Sequence, residues 1–464
     1  MMRTLHFEAA WLAPGRYARD VRVTLDDAGV IAALDEGAEP SAAAAPEAGE
    51  QLAGFAIPGA VNAHSHAFHR LLRGRTHGDG GTFWTWREVM YRVAGQLDPA
   101  NYYRAARAIF AEMVTAGYTA VGEFHYVHHA PGGKPYDEPH AMERALAQAA
   151  RDSGIRLVLL DTCYLTGAIG EDLGAEQQRF GDGDIDGFLT RHAGLAEVLA
   201  AELSPADGVT LGSAIHSVRA VPAAALPAFA EVPGPLHVHL SEQPAENEAC
   251  LAAYGMTPTQ LLAEAGVVTD RLSAVHATHL TDEDIRLLGD AAATIVMCPT
   301  TEADLADGIG PARELAEAGA VISLGSDQHV TLDPLLELRG LEAGERLGFG
   351  QRGRFSPAEL LAALTTGGDR SLHLGAHAQA ADGANPAPAS GLAVGQPADI
   401  AVIAADSPRT FGAKEEQIML TGTATDVTHV FSAGRLVAQH GEHTTLGPVA
   451  ELYREAYAAF DFGD

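Results

Sequence analysis

Five short clusters of histidine, arginine and acid stand far apart in this chain, each at the end of a short apolar run. His64 and His66 follow residues 55–63, His216 and Arg219 follow 209–215, His239 and Glu242 follow 235–238, His276 follows 272–275, and Asp327 follows 320–326. Three imidazoles and a carboxylate form a borderline-soft ligand set that suits a divalent transition ion, zinc above all. Strand periodicity puts His64 and His66 on one face, as a shared ion requires, and His237 and His239 repeat the spacing. With 21 histidines in 464 residues, chance supplies about one such triplet, so the spacing alone decides nothing. The shared position after a strand carries more weight.

Groups so distant in sequence meet only if a regular framework brings them together. Strand-like runs at 56–63, 119–124, 156–162, 209–215, 235–240, 272–275, 294–298 and 321–326 alternate with amphipathic helical stretches. The clearest helical stretches are 101–116, 141–153, 187–201, 257–265, 282–289 and 311–318. Alternation of this kind predicts an α/β fold with a parallel sheet and right-handed crossovers, and eight repeats close it into a (β/α)8 TIM-like barrel. Active sites of such barrels form at the C-terminal strand ends. His64, His66, Tyr126, His216, Arg219, His239, Glu242, His276 and Asp327 all follow their strands and none precedes one.

The flanks read differently. Residues 1–55 and 391–445 carry short strands, such as 20–25, 398–403 and 427–433, and predict a small β-sandwich domain formed by both chain termini. The barrel is expected over 56–385 and a helical tail over 446–464, with Ala-, Pro- and Gly-rich linkers at 37–51 and 376–390.

Composition excludes several functions. A formal net charge of −31 and the lack of a basic stripe argue against nucleic acid or an anionic membrane as partner. No apolar stretch is long enough to span a bilayer, and the first residues do not read as a signal peptide, so a cytoplasmic location is expected. Cys163, Cys250 and Cys298 are too few and too scattered for a disulfide framework or a four-cysteine zinc site, and Cys163 and Cys298, in apolar strand-like runs, are read as buried small apolar groups.

The motifs are more specific than the pattern. The chain resembles the amidohydrolase superfamily, with His-x-His after the first strand, His after the fifth and sixth, and Asp after the eighth. The segments Pro58 to Phe68, Phe83 to Glu88 (Phe-Trp-Thr-Trp-Arg-Glu), Glu123 to Tyr126, Cys298 to Glu302 and Gly325 to Asp327 are closest to the formimidoylglutamate deiminases, the iminohydrolases of histidine breakdown. The resemblance covers about 56–345 and is weaker in the flanks. It implies His64, His66, His239 and Asp327 as zinc ligands, with Glu242, His276 and Asp327 as catalytic groups. It also implies His69, Arg87, Tyr126, His216 and Arg219 as substrate-binding residues. His69 departs from the family, which often carries Gln there, so its contact with substrate is open.

The implied reaction is hydrolytic deimination of N-formimino-L-glutamate to N-formyl-L-glutamate and ammonia. Asp327 would take a proton from the attacking water, and Glu242 would pass one to the departing nitrogen. His276 would orient the nucleophile or stabilise charge in the tetrahedral intermediate. Glu242 has a bland alternative, an acid before the helix expected near Pro244. His237 and His279 are read as hydrogen-bonded supports. In so acidic a chain a small dicarboxylate amidine needs local guanidinium groups, for which Arg87 and Arg219 are the candidates, Arg87 lying in an aromatic loop that would serve as a lid. Two other functions use the same framework: an aminohydrolase for a ring amidine such as guanine, cytosine or an adenosine derivative, and a non-catalytic barrel acting as a binding module. A homodimer is the expected assembly.

Binuclear relatives commonly bridge their ions with a carboxylated lysine from a middle strand. Here the only lysines are Lys134 and Lys414, the first in a Gly-Gly-Lys-Pro loop and the second beyond the barrel. Two cations ~3.5–4 Å apart repel strongly unless an anion bridges them. Elemental analysis of active protein is therefore expected to give about one equivalent of divalent metal per chain; full activity appearing only at two equivalents would overturn the mononuclear expectation.

Overall fold

Alternating burial begins at the N-terminus, where β1 (Arg3–Ala13) and β2 (Arg16–Leu25) form a hairpin continued by β3 (Ile31–Asp35). β4 (Glu50–Pro58) then runs parallel to β1. The computed structural model describes residues 3–37, 49–77, 83–374 and 391–463. Most of the first expected linker and all of the second, at 376–390, lie outside the described residues; within the first, Glu50 and Gln51 are already strand.

Eight parallel strands follow: β5 (Ala60–Ser65), β6 (Tyr118–His125), β7 (Arg156–Cys163), β8 (Val209–Ile215), β9 (Leu236–Leu240), β10 (Leu272–His276), β11 (Thr294–Met297) and β12 (Val321–Leu324). Each pairs with the next in chain order. The ring is closed by a bridge between Ser65 and Asp327, where Asp327 N–H donates to His64 O at 3.0 Å. Strands such as β6 are buried along their whole length, which explains why they read as continuous apolar runs: helices cover the outside and side chains fill the inside.

The first barrel strand corrects the sequence-based expectation. Residues 56–58 belong to β4 of the terminal sheet, and the barrel strand begins only at Ala60. Between them Gly59 passes so close to β6 that a Cβ would stand 2.3 Å from the Thr119 methyl. An apolar run of constant character hides this switch of sheet.

The C-terminal segment returns to the first sheet as β13 (Ile400–Ile403), β14 (Val427–Ser432), β15 (Arg435–Gln439) and β16 (Glu442–His443). β13 pairs antiparallel with β4, Ala401 opposite Ile57, so both termini enter one continuous eight-stranded sheet. Its own core includes Leu5, Phe7, Val21, Val23, Ile400, Val402 and Phe431. The tail carries a helix, Val449–Tyr457, whose Leu452 and Ala456 pack on Ala108 and Ala111.

Helix ends follow ordinary capping chemistry. The helix Pro99–Ala116 starts at Asp98, whose carboxylate accepts the N–H groups of Ala100 and Asn101, and stops at Gly117 with φ 110°. The segment expected as an aromatic loop is instead the start of a helix, Phe83–Gln96. Among the described residues no helix is long and apolar enough to cross a membrane.

Candidate active site

The strand ends hold the histidines in fixed positions. His64 lies within β5, His66 follows it, His239 lies on β9, His276 ends β10 and Asp327 follows β12. Several of these ends turn through left-handed backbone that side-chain-bearing residues rarely adopt: φ is 50° at Ser241, 68° at His276 and 42° at Asp327. Such conformations persist only where surrounding structure over-determines them. They aim Glu242, His276 and Asp327 across the barrel mouth.

Four atoms that could serve as metal ligands approach one another there. His239 Nε2 is 3.1 Å from His64 Nε2 and 3.3 Å from His66 Nε2, while Asp327 Oδ1 is 3.5 Å and 3.4 Å from the same two nitrogens. Ligands held at ~2.0–2.1 Å on one ion lie ~3.3–3.4 Å apart, so these four separations are of the size one ion requires, and the three imidazole nitrogens form a single group with ligand-like spacing. The tautomers also fit. His66 Nδ1 donates to Phe124 O and His239 Nδ1 to His216 O, both at 2.9 Å, which leaves each Nε2 as a lone pair facing the others. Burial, reinforced by the neighbouring imidazoles, lowers the pKa of His64 and His239 well below the usual value and that of His66 to about 3. All three are therefore neutral, the form that binds metal.

The pocket above this cluster is lined by His69, Trp86, Arg87, Tyr91, Tyr126, Tyr164, Phe180, His216, Arg219, Glu242, Leu305 and others, together with His66, His239, His276 and Asp327. Every site residue expected from the sequence lines it except His64, which is wholly buried beneath. His69 Nε2 stands 3.0 Å from the Tyr126 hydroxyl, and its ring lies 4.5 Å from that of His66. Glu242 is 3.8 Å from His276 Nε2 and 3.9 Å from Arg219, so it faces the pocket in front of the helix Pro244–Tyr254. Burial alone would lower the pKa of His276, but Glu242, Asp327 and Glu302 outweigh it and raise it to about 10.

A pattern for the amidohydrolase family matches residues 55–437. The chain belongs to the amidohydrolase family. It is 36% identical to the formimidoylglutamate deiminase of Pseudomonas aeruginosa, over 93% of this chain and 94% of that one. It is 27% identical to an 8-oxoguanine deaminase from the same organism, over 95% of each. Among solved structures, an amidohydrolase from Brucella melitensis superposes with a TM-score of 0.85 at 30% identity, covering 98% of both chains. A zinc-bound adenosine deaminase from Xanthomonas campestris shares the fold, with a TM-score of 0.80 at 22% identity over 98% and 97% of the two chains.

This amidohydrolase also carries supports that sequence reasoning missed. Ser65 donates to Glu123 at 2.5 Å and stands 3.1 Å from His329 Nε2, whose Nδ1 meets Ser326 Oγ at 2.8 Å. Burial raises the pKa of Glu123 to about 8 despite its hydrogen bonds from Ser65, Ala67 and Tyr102. Glu302 accepts the Cys298 N–H at 2.8 Å and lies 3.5 Å from His276 Nδ1. Glu246, in the first turn of the helix Pro244–Tyr254, approaches Arg219 at 3.6 Å. Ser65, Glu123 and Glu302 lie within the motif segments, which was the usable signal; the contacts of Ser65 with Glu123 and His329, of Glu302 with His276 and of Glu246 with Arg219 join residues 26 to 264 apart. His237 and His279 bond to Ser371 O and Asp307 O, as supports would. Neither lysine lines the pocket, and all three cysteines are buried.

A second buried polar cluster sits behind β6 and β7. His125 and His128 meet Glu143 at 3.2 Å and 2.8 Å, a grouping with ligand-like spacing. Arg191 stands 3.5 Å from the same carboxylate and 2.6 Å from Asp161, however, so positive charge is already supplied. Burial alone would raise these carboxyl pKa values. Hydrogen bonds from His125 and His128 hold Glu143 well below the usual range, Arg191 does most to lower Asp161, and Asp182, bonded to His129 and Arg191, sits at about 2. Depressed folded-state pKa values stabilise the fold fully above ~4, and that stability is lost as pH falls through 2 and below. Arg191→Met is expected to cost ~3–5 kcal/mol at pH 7 by urea unfolding, with the difference shrinking towards pH 2. A loss below ~1 kcal/mol at pH 7 would show that the guanidinium does not hold the cluster together.

Proposed function

We propose that this amidohydrolase hydrolyses N-formimino-L-glutamate to N-formyl-L-glutamate and ammonia, with His64, His66, His239 and Asp327 holding one zinc ion. The observation that carries this reading is the presence of Arg87 and Arg219 in the same pocket as the His/Asp cluster. A dicarboxylate substrate gives both guanidinium groups a purpose, whereas a flat ring amidine has no anionic groups for them. The similarity to the Pseudomonas aeruginosa deiminase, which extends over nearly the whole chain, supports the same substrate.

When bound, zinc supplies a water nucleophile acidic enough to act at neutral pH. The remaining chemistry belongs to side chains. Asp327 takes the proton released as water adds to the formimino carbon. Glu242 delivers a proton to the terminal nitrogen, the bond from carbon to that nitrogen breaks, and ammonia leaves while the amide nitrogen stays with glutamate. His276, between Glu242 and Asp327, steadies the charge that builds on the former imine carbon's substituents. Arg87, Arg219, Tyr126 and His216 orient the substrate, and His69 acts through Tyr126. The rings of Tyr126, Tyr164 and Phe180 narrow the pocket and limit the water that reaches the polar contacts.

Purified protein is expected to release ammonia from N-formimino-L-glutamate and leave N-formyl-L-glutamate, identified by mass spectrometry. Formamide as the product, or preference for a ring amidine in a substrate panel, refutes this assignment. Glu242→Gln should retain metal and lose ~10²–10⁴ in turnover. His276→Asn should behave alike, whereas His239→Ala should lose metal as well. Near wild-type rates in metal-loaded Glu242→Gln would remove Glu242 from proton transfer.

A further inference from the structure

Behind the pocket wall, three hydrogen bonds meet on one amide. Gln177, in the segment after β7, is buried and does not itself line the pocket. Its Oε1 accepts the Gly174 N–H at 2.8 Å, which fixes the direction of the amide. The NH2 group therefore faces two phenols: Nε2 lies 3.1 Å from the Tyr91 hydroxyl and 2.8 Å from that of Tyr164. Tyr91 also accepts from Arg87 Nε at 2.7 Å.

The consequence follows from counting hydrogens. A phenol has one hydrogen to give and two lone pairs. Tyr91 accepts twice, so its hydrogen must be donated elsewhere; Tyr164 accepts once from the same amide. If Tyr91 gives its hydrogen to Tyr164, the Tyr164 hydrogen is left over; if it does not, both are. Either way at least one phenolic O–H is available to the pocket that both tyrosines line. An amide turned the other way would draw those hydrogens back towards its own carbonyl. The same bonds align Arg87, because its Nε is committed to Tyr91 and its guanidinium carbon stands 5.2 Å from the Tyr91 ring centroid. Gln177 thus ties the helix Phe83–Gln96, which carries Arg87 and Tyr91, to the segment carrying Tyr164.

We propose, resting on the deiminase reading above, that Gln177 is a positioning residue for one carboxylate of the substrate. It makes the Tyr91 and Tyr164 pair a hydroxyl donor and holds Arg87 beside it, so that a neutral donor and a guanidinium meet the same anionic group. Gln177→Glu preserves shape but replaces the amide donor with an acceptor that pulls the phenolic hydrogens away. Gln177→Leu removes both polar atoms.

In Gln177→Glu, KM for N-formimino-L-glutamate is expected to rise at least about tenfold while kcat stays within about threefold, because the lost contacts serve ground state and transition state alike. The dissociation constant for N-formyl-L-glutamate, measured by calorimetry, should rise in parallel. In a Tyr91→Phe, Tyr164→Phe background, Gln177→Leu should add little, since the effect runs through the hydroxyls. Unchanged KM and unchanged product affinity in Gln177→Glu, a fall in kcat alone, or full additivity with the tyrosine pair would each overturn the role while leaving the deiminase reading intact. A wild-type protein that does not turn over N-formimino-L-glutamate overturns that reading instead. Calorimetry then still decides Gln177: weaker N-formyl-L-glutamate binding by Gln177→Glu supports carboxylate positioning, and equal binding overturns it.

Discussion

Three imidazole nitrogens facing one another, His239 Nε2 only 3.1 Å from His64 Nε2, are the arrangement around which the rest of this molecule is organised. Neutral rings so placed repel unless a cation lies among them, so the barrel must hold them by force from behind. Backbone carbonyls do this, fixing the Nδ1 hydrogens of His66 and His239. The bridge from Ser65 to Asp327 does it again, because the step that closes the ring also brings the Asp327 carboxylate to His64 and His66. Closure of the barrel and assembly of the cluster are one event.

That event reaches outwards through the first barrel strand. β5 is anchored one residue after β4 leaves the terminal sheet, and Gly59 N–H donates to Asp399 O at 2.8 Å at the junction. The terminal sheet therefore sets where the strand bearing His64 begins. Below the cluster, Ser65, Glu123, Ser326 and His329 form a buried hydrogen-bonded layer that leaves the ligand-bearing strand ends little freedom.

On the proposed reading, an acidic protein that accepts an anionic substrate must keep its arginines aimed inwards. Arg219 is flanked by Glu242 and Glu246, and Arg87 is bonded through Nε to Tyr91. In both cases the guanidinium is oriented before substrate arrives, which lowers the entropy lost on binding. Glu242 and Glu246 also offset the positive charge of Arg219 beside the histidine cluster. Elsewhere the same residue type serves stability, as Arg191 does among Glu143, Asp161 and Asp182.

Much of this was legible in the linear chain. The strand positions and the placement of His64, His66, His239, His276 and Asp327 at strand ends follow from periodicity of two and from apolar runs, which are local properties, whereas the candidate arginines came from the family resemblance and the charge of the substrate it implies. The extent of the first barrel strand did not follow, because the run 56–61 carries no polar side chain on either side of Gly59 while its hydrogen-bond partners change there. The helical start at Phe83 was hidden likewise, since aromatic residues suit a lid loop and a helix face equally. Tertiary structure alone decided which nitrogen of each histidine faces the cluster, that Gln177 Nε2 points at two phenols, and that His329 and Glu123 meet across Ser65. These depend on distances and lone-pair directions between residues far apart in sequence, and composition and spacing carry no information about either.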